Sequence, residues 1–124
     1  MFPEAHRQIY QEFLRSLEQL QVKVTQAKPD PAALILNFQE IQQFFQRQVL
    51  TLSWDNYPDP TVEQRVQSYQ IEMNKQLKLM GADVMFLQAA RQSSTAQQRQ
   101  VQISDRLNLL IGYCNVLLQD KDEG

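Results

Sequence analysis

One cysteine, one histidine and three glycines in 124 residues each remove a class of chemistry. A lone Cys114 cannot close an internal disulfide, which fits a reducing compartment. Three glycines leave no Gly-rich loop to cradle a phosphate, and no Gly-x-Ser-x-Gly turn exists to expose a serine nucleophile. His6 sits two residues from Glu4, so the paired Glu-x-x-His motifs that di-metal helical bundles need are missing. It reads as a solvated first-turn residue, and neither a metal nor another cofactor is expected. Apolar runs are a handful of residues long, far short of the ~20 that span a bilayer. The opening Met1-Phe2-Pro3-Glu4 turns polar at once, so no secretory signal and no membrane span are expected, and a cytoplasmic location follows. Charge is balanced as well, with a formal net of -2, and no concentrated basic face predicts nucleic-acid binding.

Glutamine is the excess, at about one residue in six. The glutamines alternate with apolar residues at helical spacing, which reads as solvated helix faces rather than a prion-like tract. Gln forms helices well and is uncharged, so such a face can approach another protein without strong repulsion. Two matching runs, Asp30-Pro31-Ala32 and Asp59-Pro60-Thr61, are helix starts. In each, the Asp side chain accepts from free N–H groups of the first turn, and the proline that follows has no N–H to lose.

Four amphipathic segments follow from the periodicity. The first helix spans about Pro3 to Gln26, with Ile9, Phe13, Leu17, Leu20 and Val24 inward and Tyr10 and Leu14 widening the stripe. The second spans Pro31 to about Leu52, with Leu34, Phe38, Ile41, Phe45 and Val49 inward, and its wide stripe predicts the most buried helix of the set. The third opens at Pro60 and extends to about Gln92 along a heptad-like row from Val62 to Leu87. Gly81 within it marks a kink or a close helix approach. Thr95 with Gln98, or Ser94 with Gln97, offers a capping box for the fourth helix, whose inward row is Ile103, Leu107, Leu110, Cys114 and Leu117. The tail Asp120-Lys121-Asp122-Glu123-Gly124 is expected to fray.

The expected fold is therefore all-α: a single-domain antiparallel four-helix bundle over residues 1–124, with a long third helix. Between Gln88 and Gln102 the apolar residues are Ala89, Ala90, Ala96 and Val101, which predicts a thin helix 3–helix 4 hairpin tip projecting beyond the bundle.

Candidate chemistry is sparse. Cys114 lies on the apolar row and reads as a structural thiol rather than a nucleophile. Arg91, Arg99 and Arg106 could share an edge near the tip, but without interleaved aromatics they read as a solvated face. Trp54 and Tyr57, in the Pro-rich loop Ser53–Pro60, are either anchors of a protein interface or a plug over Val49 and Val62 at the bundle end. The candidate protein-binding residues are Trp54, Tyr57, Arg91 and Arg99. The third-helix row also offers a homodimer interface, unless it faces the core.

The size, the Gln-rich helices, the opening His6-Arg7-Gln8-Ile9-Tyr10-Gln11-Glu12-Phe13-Leu14 and the Trp54-to-Pro60 linker resemble the PatD family, cyanobacterial proteins that control heterocyst frequency. The resemblance implies a non-enzymatic developmental regulator that limits differentiation by binding a partner, the tubulin-like cell-division protein FtsZ, and modulating its assembly. It brings no functional residues with it. The alternative from the residues is a small-molecule sensor or carrier, with a ligand held among Phe38, Phe45, Tyr69 and Met73. That reading needs a cavity in a core that is normally close-packed.

Overall fold

The computed structural model describes residues 2–55 and 57–119. Four α-helices form among the described residues: α1 (Glu4–Val24), α2 (Pro31–Phe44), α3 (Pro60–Ala89) and α4 (Ser93–Gln119). The tail from Asp120 to Gly124, expected to fray, lies outside the described residues.

The two Asp-Pro starts form as their chemistry dictates. Asp30 Oδ1 accepts from the Ala32 N–H at 3.1 Å, and Asp59 Oδ1 accepts from the Thr61 N–H at 3.0 Å and the Thr61 hydroxyl at 2.6 Å. These hydrogen bonds hold the Asp59 carboxyl below its ordinary range. The α4 start differs from expectation. It begins at Ser93, so Ser94 and Thr95 fall inside the first turn and neither stands at the N-cap.

The second helix also departs from a plain α-helix. After Phe44 it widens into a π-helical turn, Phe45–Val49, in which the Leu50 N–H donates to the Phe45 carbonyl at 2.9 Å. Phe45 and Val49, four residues apart, are both fully buried through that turn. The Thr51 hydroxyl then closes the end on the Arg47 carbonyl at 2.6 Å.

Each helix packs against the next, and α4 closes back on α1, giving an up-down-up-down square. One continuous core runs through it, from Phe2 and Tyr10 to Val24 on α1 and from Ile103 to Leu118 on α4. Tyr10 rather than Ile9 leads the α1 row: it is fully buried, and its hydroxyl accepts from the Gln70 amide of α3 at 3.0 Å. The second helix is not the most buried. Leu36 and Leu50 are exposed, and the longest buried row belongs to α3.

Gly81 is a close approach. A Cβ there would lie 3.0 Å from Cζ of Phe38, so the α2 ring sits directly on the α3 backbone.

Side-chain hydrogen bonds finish two helix ends. Gln100 of α4 donates its amide to the Val24 and Gln26 carbonyls at 2.6 and 2.8 Å, occupying groups that α1 leaves without partners. At the opposite end Arg7 donates to the Leu118 carbonyl of α4 at 2.9 Å. Because Gln100 is level with the end of α1, residues 93–99 run ~10 Å beyond it. The tip therefore projects past α1, but alanines alone do not pack it. Leu87 is buried there, Ala96 rests on the core, and Ala89 faces solvent.

Candidate protein-binding site

The tip end is organised by a polar network that periodicity did not reveal. Asp83 of α3 is buried and takes two arginines from α4: Arg106 Nε on Oδ2 at 2.5 Å and Arg99 Nη1 on Oδ1 at 3.3 Å. Arg106 also donates to Oε1 of Gln76, itself buried, at 3.2 Å, and Arg99 to Gln102 at 3.2 Å. A carboxylate shared by two guanidiniums satisfies the charge that burial would otherwise penalise. The signal for it was present in the spacing. Gln76 and Asp83 are seven apart on one helix, Arg99 and Arg106 seven apart on its antiparallel neighbour, so two turns of each meet in register.

Arg99 does more than pair with Asp83. Its guanidinium lies 4.6 Å from the centre of the Phe86 ring, a cation–π contact with an aromatic side chain that is 53% exposed. Met85 beside it and Arg91 beyond it are exposed too. On the other flank of α4 a cleft of ≈ 400 Å³ is lined by Val24, Thr25, Gln97, Gln100, Val101 and their neighbours Ser104 and Asp105.

The opposite end is aromatic. Trp54 folds back from the Ser53–Pro60 loop to pack edge-on against Phe2 at 5.5 Å, His6 at 4.7 Å and Tyr57 at 5.1 Å between ring centres. Both Trp54 and Tyr57 are half-buried, and Trp54 rests on the core as Val62 does. The loop thus closes the bundle end, with ring partners from the N-terminal segment ahead of and within α1. His6 belongs to this lid and is not a freely solvated first-turn residue: its Nδ1 is buried without a hydrogen-bond partner among the described residues, and burial pushes the imidazole below its ordinary 6.5.

Of the four candidate binding residues, the structure separates Trp54 and Tyr57, at the lid, from Arg91 and Arg99, at the tip. The arginine edge is divided as well. Arg99 and Arg106 are turned onto Asp83, and Arg91 is exposed. The third-helix row does not offer a homodimer interface, because Val66, Met73, Leu77, Met80, Val84 and Leu87 are all in the core. Cys114 is fully buried, and desolvation pushes its thiol up to about 12, which keeps it protonated at neutral pH. Among the described residues no group of three or more His, Cys, Asp and Glu is placed to hold a metal, and no helix is long and apolar enough to cross a membrane.

No protein-family model, curated protein or solved structure matches this chain. The fold defines the class: an all-α four-helix bundle.

Proposed function

We propose that this chain is a non-enzymatic cytoplasmic regulator that acts by binding another protein through the tip of the α3–α4 hairpin. The observation that carries the reading is Phe86, more than half exposed yet held under Arg99, whose guanidinium is fixed in turn by Asp83. An aromatic and an arginine immobilised before binding lose little side-chain freedom on contact, and these residue types dominate interface energies. Exposed Met85 and Arg91 extend the surface. In keeping with the resemblance to the PatD family, the proposed partner is FtsZ, whose assembly the chain would modulate to limit heterocyst differentiation.

The carrier alternative receives no comparable support. Phe38, Phe45 and Met73 are buried in the continuous core, Phe45 packs on Phe13 at 5.4 Å and Tyr69 on Tyr113 at 5.7 Å between ring centres, so the side chains named for a ligand site are taken up in packing within the bundle.

The test is binding of purified FtsZ to wild type, Phe86→Ala, Arg91→Glu and Trp54→Ala. Loss of at least about tenfold in affinity, or 1.4 kcal/mol, is expected for the two tip variants, with Trp54→Ala near wild type. Equal binding by all four moves the interface off the tip. No binding by wild type removes the partner.

A further inference from the structure

We infer that the outer face of α4 is a self-association surface, on which a second copy of this chain binds with its α4 antiparallel. Val101, Leu109 and Val116 are 60%, 46% and 39% exposed and lie on the side of α4 opposite its buried row of Ile103, Leu107, Leu110 and Cys114. Gly112 shares that outer row. Nothing stands within 4 Å of where its Cβ would be, so no contact inside the bundle requires a glycine there. A mid-helix glycine weakens the helix relative to alanine, and its use is to let another backbone approach closely.

Register selects a second copy as the occupant. About a two-fold axis between Asn108 and Leu109, an antiparallel α4 sets Val101 opposite Val116, Leu109 beside Leu109, and Asp105 opposite Gly112. The apolar positions meet each other, and the one acid on the row meets the one position with no side chain. The flanking charges obey the same axis. The Arg106–Gln76 and Tyr113–Tyr69 contacts place Lys75 of α3 level with Leu107 and Glu72 level with Leu110. Lys75 of each copy then faces Glu72 of the other. The Gln21–Asn108 and Arg7–Leu118 contacts place Arg15 of α1 level with Ile111 and Gly112, so Asp105 of each copy faces Arg15 of the other. These four charged residues are all exposed. A parallel pairing in register would instead set Asp105 against Asp105, a like-charge contact that disfavours it. The surface is distinct from the Phe86–Arg99 flank of the tip.

Sedimentation equilibrium of the full chain tests this without any other protein present. Wild type is expected to sediment at twice its 14.5 kDa mass. Leu109→Asp and Val116→Asp are expected to sediment as monomers with unchanged helical circular dichroism. Asp105→Arg should weaken the dimer at least tenfold, and adding Arg15→Asp to it should restore most of the loss, a rescue that mere unfolding could not produce. Orientation is read by disulfide cross-linking: Val101→Cys mixed with Val116→Cys should link, while neither variant links to itself. A chain that stays monomeric at high concentration overturns the inference, even if the face then takes a different protein. So does a dimer indifferent to Leu109→Asp, or one in which each cysteine variant links to its own kind.

Discussion

At the end where α1 begins, Phe2, His6, Trp54 and Tyr57 meet ring against ring, whereas at the tip end Asp83, Arg99, Arg106 and Gln76 meet as ions and amides. The first set closes the bundle end and the second joins α3 to α4, by different physics. The aromatic lid is delivered by a loop and works by excluding water, which needs area and little direction. The ionic set is delivered by two helices in register, and its charges are tolerable only while each keeps its partner. The lid is thus insensitive to small geometric change. The tip is fixed in one geometry, and that fixity is what holds Phe86 in place.

Three substitutions would break or sharpen this contrast. The largest effect is expected from Asp83→Ala, which strands two arginines at the α3–α4 interface. It should cost about 3 kcal/mol by urea denaturation, at the low end for buried pairs because Arg99 is a third exposed. Replacing Asp83 and Arg106 together by leucine should recover much of that loss. Trp54→Ala should cost less, about 2 kcal/mol against the 3–5 of a fully buried aromatic, with near-ultraviolet dichroism reporting the opened lid. A larger loss for Trp54→Ala than for Asp83→Ala would invert the comparison.

The smallest effect is the pH dependence of the lid. His6 binds its proton less readily when folded, because its ring is desolvated. The unfolded chain takes up that proton near pH 6.5, so stability is fully present above that value and declines as pH falls below it. The urea midpoint should drop between about pH 7.5 and about pH 5.5, and by less in His6→Gln.

Much of the fold is legible in the chain because it depends on local rules. Asp30 and Asp59 cap where an Asp-Pro pair must, and the α3 row from Val62 to Leu87 packs as its spacing requires. The π-helical turn at Phe45 was not legible, since one extra residue per turn leaves the order of apolar positions unchanged. Helix α4 starts at Ser93, ahead of the capping boxes that Ser94 and Thr95 suggest, because side-chain type marks a start only to within a residue or two. The site divided in the same way. Arg99 stood out as an exposed arginine near a tip, but its partners Asp83 and Phe86 lie on another helix, and the pairing depends on the register between them. The environment of His6 is hidden from local sequence for a related reason, since it packs on Trp54, forty-eight residues later.

The Gln100 amide on the carbonyls of Val24 and Gln26 has a consequence for how the chain is made. During synthesis α1 emerges long before the residue that completes its last turn. Through the appearance of α2 and α3 those carbonyls have only water to bond, and the α1 face that α4 will cover stays open. Closure of the square thus waits until α4 has emerged, and nascent chains that stall within α3 are the ones most exposed to mispairing with their neighbours.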